Sequence, residues 1–424
     1  MTALLILALL LLLLAIGVPV AFALGGLGLI LLIAGGFSPL MAPQALLSTV
    51  DNFILLAVPL FLLMSNILLK GGIGRDLFAA VQAWVGHWPG GLAVATIISC
   101  ALFSAISGSS VATAATVGTV AIPEMIARGY ERRFVLGLLA AGGTLGILIP
   151  PSIPMIIYGV VTEESIISLF LAGIGPGLLL ASLFVLYAMA HAAWFGGYTP
   201  SPRASWRERR VATLRALPTL MLAVVVVGGL YLGAFTPTEA SAVGFAGSLL
   251  LTGPLLRRLD WPTLVAAVRD SMATTVTIFL ILVGAKLFGK AITLYRLPQD
   301  LSAFLIQTFD TPAAFVAIAA LVLLLMGCFL EALSMLLLMM PVLYPALLPL
   351  GIDPIWFGVF FVVMIECALI TPPVGLNLFV IQAVARTSVA DVALGVWPFI
   401  VIMLSTAATL YLLPDIVLYI PFKM

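Results

Sequence analysis

The chain has 424 residues, of which 63% are hydrophobic and only 8% are charged, and its formal net charge is +1. A soluble domain carries roughly 25% charged residues because its surface faces water, so this composition excludes an ordinary soluble protein. A net charge this close to zero also gives no electrostatic reason to expect nucleic acid as a partner.

Apolar runs recur along the chain from Met1 to Ile420. Because about 20 apolar residues span the hydrocarbon core of a bilayer, the sequence predicts an all-α, multi-pass protein surrounded by membrane lipid. No stretch between the runs is long enough for a soluble domain. The first run, residues 1–33, lacks a basic segment before it and is too long for a signal peptide, so we expect it to remain as a membrane helix.

Basic residues assign the first loops to opposite sides of the membrane. Residues 35–50 contain no Lys or Arg, whereas the next loop carries Lys70 and Arg75. Loops rich in Lys and Arg face the cytoplasm. We therefore place residues 35–50 outside and the loop at Lys70 inside.

A polar segment that contains glycine lies in the middle of the apolar stretch 92–126. The stretch enters and leaves on the cytoplasmic side, given Arg75 before it and Arg128 after it, and it is short for two spans and a turn. Residues 104–110, Ser-Ala-Ile-Ser-Gly-Ser-Ser, therefore predict the tip of a re-entrant helical hairpin, whose backbone protein or a watery cavity must cover. A polar contact between packed helices is the alternative.

Two consecutive prolines interrupt the next apolar run at residues 149–151. Each proline removes a backbone donor and clashes with the preceding turn, so the sequence predicts a broken helix. The break frees carbonyl oxygens, which suit a small hard cation, and the N-terminus of the second half-helix suits a carboxylate. The alternative is a kink that serves packing only.

The densest cluster of arginines marks the boundary between two halves. We expect residues 1–200 to form the first half, residues 201–215 a cytoplasmic linker, and residues 216–424 the second half. The linker carries five arginines: Arg203, Arg207, Arg209, Arg210 and Arg215.

The second half contains a counterpart of each feature. A second hairpin tip is expected around residues 327–334, and a second double proline breaks the helix at residues 371–373. The tip carries Glu331, which is costly in an apolar run unless it faces the bundle interior or a cavity. Glu366, five residues before Thr371, fits either an ion-coupling group or a buried packing contact.

The two halves have the pattern of inverted-topology repeats. Residues 35–50 of the first half lie outside, whereas the corresponding segment of the second half, residues 257–269, carries three arginines and lies inside. Such inversion is typical of secondary transporters. Lys286, Lys290 and Arg296 do not fit, because this topology places them outside. Landmarks that lie 222 residues apart support the duplication: Pro150 and Pro372, Gly173 and Gly395, Pro176 and Pro398.

At these motifs the sequence resembles the large membrane subunit of TRAP transporters, the tripartite ATP-independent periplasmic transporters. The matching motifs are residues 104–113, 149–152 and 371–375, and the resemblance extends over nearly the whole chain. It implies membership of the ion-transporter superfamily and an elevator mechanism, in which a scaffold holds still while a transport domain carries the hairpins and broken helices across. It also implies a place in the bacterial inner membrane.

The resemblance further implies that sodium import drives uptake, through two sodium sites that each lie between a hairpin and its broken helix. Carried onto this chain, the first site comprises Ser104, Ser107, Gly146, Ile149 and Pro151. The second site, formed mostly by backbone carbonyl oxygens, comprises Gly327, Ala368, Thr371 and Val374.

Substrates of the family are organic acids, such as C4-dicarboxylates and sialic acids, and the sequence does not select among them. We expect the substrate at the hairpin tip and the half-helix N-termini, although Asn377 could instead satisfy the broken backbone. The expected substrate residues are Ser107, Ser109, Ser110, Pro151, Ser152, Pro373, Gly375 and Asn377.

The resemblance implies two protein partners, a small four-helix membrane subunit and a soluble periplasmic binding protein. Some family members carry the small subunit fused to the large one. Because this chain begins directly with the large-subunit pattern, we expect its small subunit to be a separate chain.

Three other functional classes compete with this interpretation. A self-sufficient sodium-coupled carboxylate or anion permease of the same superfamily would need no binding protein. An intramembrane enzyme is disfavoured, because the only histidines are His87 and His191 and no HExxH zinc motif occurs. A channel is disfavoured because broken helices in inverted repeats favour alternating access.

Overall fold

The protein is described by a computed structural model and is helical almost throughout. The described residues are 2–297, 299–300 and 311–423. No β-strand occurs among them. Met1 and residues 298, 301–310 and 424, which belong to the two expected halves, lie outside the described residues.

The helices of the expected first half are short and closely spaced until the last one. Their bounds are α1 (Thr2–Ala15), α2 (Val20–Ala34), α3 (Met41–Val50), α4 (Ala57–Lys70), α5 (Ile73–Val85), α6 (Gly91–Ser107), α7 (Ser110–Ala127), α8 (Arg132–Leu148), α9 (Ile153–Thr162) and α10 (Ile166–Phe195). A 3₁₀ turn, Phe53–Leu56, precedes α4.

The second half begins with a long helix. The bounds of its described helices are α11 (Trp206–Tyr231), α12 (Pro237–Leu250), α13 (Trp261–Leu294), α14 (Pro312–Gly327), α15 (Ala332–Leu347), α16 (Pro354–Ile370), α17 (Leu376–Ala385), α18 (Val389–Leu412) and α19 (Asp415–Lys423). A π-helical turn, Leu251–Leu255, follows α12.

Six helical segments of the described chain are long and apolar enough to cross a membrane, and the bent pair α8 and α9 raises the number to seven. Their outer faces carry exposed apolar side chains such as Leu178, Met221 and Val224. Such faces are stable against lipid and unfavourable against water. The prediction of an all-α, multi-pass membrane protein is therefore confirmed.

The helices that precede the two double prolines, α8 and α16, form the centre of the molecule. Residues 134–148 of α8 and residues 355–370 of α16 are all buried. A helix that is apolar on every side is stable only when neighbouring elements cover it. Both breaks therefore follow the most enclosed helices of the fold.

The first hairpin consists of α6 and α7, which pack against each other. Its turn is tight: α6 ends at Ser107, Gly108 adopts a left-handed φ of 59°, and α7 begins at Ser110. Ser109 caps α7, because its hydroxyl accepts a 3.4 Å bond from the amide of Ala112. The hairpin and its tip are as expected, and its re-entry from one side of the membrane stays a prediction.

Both helices with double prolines are interrupted where the sequence predicts. Helix α8 ends at Leu148 and α9 starts at Ile153 with a bend of 41° between them. Helix α16 ends at Ile370 and α17 starts at Leu376. The Pro–Pro peptide bond is cis in each break.

The second hairpin, α14 and α15, has a turn of four residues between Gly327 and Ala332. Glu331 is the last residue of this turn. Its side chain is exposed and accepts a 3.3 Å hydrogen bond from the hydroxyl of Ser334. The carboxylate at this tip is therefore not enclosed by the protein.

The helices pack in two groups, which we call the α13 group and the α8 group. In the α13 group, α13 packs against α2, α3 and α4, and α4 packs against α12; in the α8 group, α8 packs against α6, α7 and α18, and α16 packs against α14 and α18. The backbones of α8 and α18 meet at Gly137 and Gly395, where a side-chain carbon on Gly395 would overlap the carbonyl group of Arg133. Small residues permit such close approach. The α8 group thus combines helices of both halves.

The expected linker is partly helical. Residues 206–215 form the first turns of α11, which begins with a capping box between Ser205 and Glu208. Arg209 lies over the ring of Trp84, 5.2 Å from its centroid, and donates to the carbonyl of Ala83 at 3.2 Å. This arginine therefore anchors α11 to α5. The division of the chain at residues 201–215 stays a prediction.

Candidate functional site

The first hairpin tip and the first break are in direct backbone contact. A side-chain carbon on Gly108 would lie 2.5 Å from the carbonyl oxygen of Pro151, and one on Gly146 would lie 2.5 Å from the carbonyl oxygen of Ser109. Real Cβ atoms do not approach other atoms so closely, so glycine is required on both sides. The carbonyl oxygens of Ser109 and Pro151 therefore lie at the contact between the tip and the broken helix.

Buried hydroxyl groups surround this contact. The Ser107 and Thr113 hydroxyls lie 2.9 Å apart, and Thr113 also donates to the carbonyl of Ser109 at 2.8 Å. Ser104 donates to the carbonyl of Cys100 at 2.6 Å, within its own helix. Thr113 was not among the residues expected at the site. Its position four residues after Ser109, on the same face of α7, is the signal that could have identified it.

The second hairpin and the second break have the same relationship. Gly327 lies against Ala368 with no space for a side-chain carbon. The thiol of Cys328, next in the chain, makes a weak 3.8 Å hydrogen bond to the carbonyl oxygen of Pro372. The Thr371 hydroxyl donates to the carbonyl of Cys367 at 2.7 Å and keeps its lone pairs available. Gly327, Ala368 and Thr371 are thus brought together.

The two breaks differ in exposure. Pro150, Pro151 and Ser152 are buried, whereas Pro373 and Val374 are exposed. Val374 lines a cavity of about 500 Å³, whose wall also includes Gly327 and Glu331. The second break is therefore accessible from a cavity, and the first break is enclosed by protein.

The residues expected to bind substrate fall into three sets. Ser109 and Ser152 act as helix N-caps, the latter accepting from the amide of Met155 at 3.3 Å. Ser110 and Asn377 are buried and bonded to each other, with the Asn377 amide nitrogen 2.6 Å from the Ser110 hydroxyl. The remaining members, Ser107, Pro151, Pro373 and Gly375, belong to the tip and break segments described above.

A carboxylate adjoins the pair formed by Ser110 and Asn377. The Ser110 hydroxyl donates to the Glu366 carboxylate at 3.3 Å, and the Asn377 amide also donates to the carbonyl oxygen of Ala140 at 3.3 Å. The Glu366 side chain has no exposed surface. A chain of hydrogen bonds thus connects the second broken helix, the first hairpin and α16.

A large cavity of the described structure lies beside the α13 group. It has a volume of about 1240 Å³ and is bounded by α3, α12 and α13 on one side and by α15 and the turn between α9 and α10 on the other. Ligand pockets in proteins usually measure about 300–1,000 Å³, so an organic acid fits easily. None of the residues expected to bind substrate lines this cavity.

Two lysines from α13 line the large cavity, and the sequence provided a signal for them. Lys286 and Lys290 are basic residues that do not fit the predicted topology, and both face the cavity. The Lys286 ammonium group donates to the carbonyl oxygen of Ser48 at 3.2 Å. Opposite, Tyr344 donates to the carboxylate of Glu164 at 2.9 Å. The two lysines that do not fit the predicted topology thus face a cavity.

The fold and site were compared with known proteins. The family described as "Tripartite ATP-independent periplasmic transporter, DctM component" matches residues 7–416. The chain is 38% identical to the C4-dicarboxylate TRAP transporter large permease protein DctM of Pseudomonas aeruginosa, covering 89% of this chain and 88% of that protein. It is 35% identical to the sialic acid TRAP transporter large permease protein SiaM of Vibrio cholerae, covering 96% and 95% respectively.

A solved structure has a similar fold. The YdaH transporter of Alcanivorax borkumensis, reported to have an unusual topology, superposes with a TM-score of 0.62 over 87% of each chain. Its sequence is only 16% identical, so this likeness concerns the arrangement of the helices.

Proposed function

We infer the function of this chain from its family: it belongs to the DctM components of the tripartite ATP-independent periplasmic transporters. It is therefore a transporter permease, a multi-pass membrane protein of the class that works with further subunits. The expectation drawn from the hairpin and double-proline motifs is confirmed at this level.

We propose that the chain is the large membrane subunit of a sodium-driven importer of an organic acid. The observation that carries this proposal is the matched contact between each hairpin and its break, made by Gly108 and Gly146 in one case and by Gly327 in the other. Each contact brings a hairpin turn against its broken helix near backbone carbonyl oxygens, those of Ser109 and Pro151 or that of Pro372, and near a hydroxyl group, that of Ser107 or of Thr371. Oxygen ligands of this kind are those that hard cations prefer, so the residues fit sodium.

At the first contact, sodium would be held by Ser107 and by carbonyl oxygens of the segments around Gly146 and Pro151. At the second contact, it would be held by Thr371 and by carbonyl oxygens near Gly327, Ala368 and Val374. When bound, sodium supplies positive charge that attracts an anionic substrate. The first residues of α17, which has no side-chain cap, present free backbone N–H groups that suit a carboxylate, whereas Ser152 caps α9.

We propose an elevator movement of the α8 group against the α13 group. The cavity of about 1240 Å³ beside the α13 group supports this proposal, because a helix surface that lines a large cavity opposes sliding less than a fully packed one. Lys286 and Lys290 on α13 face this cavity across from Glu163 and Glu164, and they would offer an anion two positive charges on the α13 side. The cavity would then be the route between the outside and the hairpin tips.

The proposed substrate is a carboxylate, because relatives carry the names of C4-dicarboxylate and sialic acid transporters. The proposed partners are a small membrane subunit and a periplasmic binding protein, which the tripartite character of the family implies. The proposed location is the bacterial inner membrane, where a periplasmic protein could deliver the substrate.

Reconstitution tests the proposal. Proteoliposomes containing the chain and a small membrane subunit should accumulate a C4-dicarboxylate or a sialic acid when the matching binding protein and an inward sodium gradient are both present. Accumulation with a potassium gradient alone would contradict sodium coupling. Accumulation by the chain without either partner would favour the alternative, a self-sufficient carboxylate permease.

A further inference from the structure

Glu366 is a buried acid without a counter-ion in the part of the chain that the structure describes. It lies in α16, its side chain has no exposed surface, and none of the ion pairs found includes it. A carboxylate inside a membrane protein is costly unless a positive charge or a proton neutralises it. The fold therefore encloses a negative charge that the described side chains leave uncompensated.

The neighbours of Glu366 supply oxygen atoms. The Asn377 amide nitrogen donates to the Ser110 hydroxyl at 2.6 Å and to the Ala140 carbonyl at 3.3 Å, and the Ser110 hydroxyl donates to Oε2 of Glu366 at 3.3 Å. Two atoms are left without a hydrogen-bond partner, Oε1 of Glu366 and Oδ1 of Asn377. Both are buried acceptors, and such atoms normally have a partner.

The unpartnered atoms indicate the kind of ligand. Carboxylate, amide and hydroxyl oxygens are hard ligands that favour alkali and alkaline-earth cations over transition metals. A single carboxylate balances one positive charge, whereas calcium sites usually combine several acidic side chains. The cluster therefore suits a monovalent metal cation.

We propose that Glu366, Asn377 and Ser110 form a further sodium site, separate from the two contacts between hairpins and breaks. It joins the first hairpin to the second broken helix, so an ion bound there holds elements of the two halves together. The inference extends the proposed function. The existence of the sodium site does not rest on that function, whereas its role in transport does.

The test counts sodium ions directly. Equilibrium binding of radioactive sodium is measured on the purified full-length chain, with its small subunit if that is required for stability, for wild type, Glu366→Gln and Glu208→Gln. The Glu366→Gln variant should bind one sodium fewer per molecule. Glu208→Gln is the matched control, since it removes an exposed acid at the start of α11, and it should bind as many ions as wild type.

A second variant keeps the test decisive if Glu366→Gln does not fold. Ser110→Ala removes one neutral oxygen from the cluster and should raise the sodium concentration that half-saturates one site by at least about threefold. Equal sodium binding by wild type and by a folded Glu366→Gln or Ser110→Ala protein would overturn the inference. Proton uptake at Glu366 with an unchanged sodium count would overturn it too.

The test of the further sodium site is independent of the proposed function, because sodium binding is measured without transport. A wild-type protein that transports in response to sodium, together with an unchanged count in Glu366→Gln, refutes the further site alone. A wild-type protein that does not transport refutes the proposed function, while the sodium count still decides whether the site exists.

Discussion

Asn377 of the second broken helix and Ser110 of the first hairpin are joined by a hydrogen bond of 2.6 Å, although 267 residues separate them in the sequence. Both side chains are buried. The contact means that the tip of one expected repeat is fixed to the break of the other. A change at either residue will therefore affect elements of both halves.

Sodium should stabilise the purified protein more than potassium. A ligand that binds only the folded state raises the free energy of unfolding, by about 2.7 kcal/mol when its concentration is 100 times Kd. Thermal unfolding in detergent, followed in sodium and in potassium at equal ionic strength, measures the difference. Equal melting temperatures in saturating sodium and potassium would contradict the presence of sodium sites.

Thr371→Val should weaken sodium dependence without unfolding the protein. The change removes the hydroxyl that bonds to Cys367 while nearly preserving side-chain volume, although the loss of the hydroxyl is not neutral. We expect the sodium concentration for half-maximal uptake to rise about tenfold, which corresponds to about 1.4 kcal/mol of lost binding. Thr409→Val is the control, because its hydroxyl makes the same bond to its own helix, at 2.8 Å from Ser405, on an exposed face.

Ser107→Ala should have the corresponding effect at the first contact. The change removes the hydroxyl that lies 2.9 Å from that of Thr113, so one oxygen ligand of the proposed site is lost. Uptake into proteoliposomes at a series of sodium concentrations measures the effect. If Ser107→Ala and Thr371→Val both transport at wild-type rates with unchanged sodium dependence, these residues serve helix packing only.

Gly146→Ala should disrupt the first contact between hairpin and break. The added carbon would lie 2.5 Å from the carbonyl oxygen of Ser109, and overpacking of this kind costs about 1–3 kcal/mol. We expect a lower melting temperature and a loss of uptake. Gly228→Ala is the control, because no atom lies within 4 Å of the added carbon, and replacing glycine in a helix stabilises it by up to about 1 kcal/mol. Normal uptake by Gly146→Ala would refute a close tip contact.

Single cysteines should show that the linker and the loop after α15 lie on opposite sides of the membrane. In a background without Cys100, Cys328 and Cys367, Arg203→Cys should react with an impermeant thiol reagent from the cytoplasmic side only. Leu348→Cys should react from the periplasmic side only, because residues 344–354 contain no Lys or Arg. Both positions are exposed, so access within the protein does not limit labelling. Labelling of both from one side would refute the inverted topology.

Lys290→Gln should raise the KM for an anionic substrate, because one positive charge is lost from the wall of the large cavity. We expect an increase of about three- to tenfold that shrinks at high ionic strength, since salt screens the attraction. Initial uptake rates at low and high salt test this. The control is Arg203→Gln, which removes a charge from the exposed linker, and an equal effect of both changes would exclude a specific role for the cavity.

Features that depend on local backbone chemistry could be predicted from the sequence. Gly108 at the first tip permits a left-handed backbone conformation. The prolines at both breaks fix φ and lack a backbone N–H donor, so they interrupt a helix. The helix that occupies residues 206–215 was missed, because a cluster of arginines indicates the cytoplasmic side of the membrane and not the secondary structure. The Ser-x-x-Glu capping box that begins at Ser205 was the available signal.

Features that depend on tertiary packing could not be predicted in the same way. The hydrogen bond between Ser110 and Asn377 joins two segments whose spacing in sequence says nothing about their distance in space. In the sequence, the only signal for the cavity that Lys290 faces was that the predicted side of this lysine disagrees with the positive-inside rule. Hydrophobic periodicity and composition predict which residues are buried and which type of secondary structure they form. They do not predict which buried faces pack against each other.

The unequal exposure of the two breaks has a kinetic consequence. Two ion sites with similar oxygen ligands exchange ions at rates set by access as well as by affinity. An ion at the second break could leave through the cavity beside Val374 without any movement of the backbone. An ion at the first break, sealed around Pro151, could leave only after the first hairpin moves away. The order in which the two ions are released would then follow from the shape of the protein, even if both were bound equally tightly.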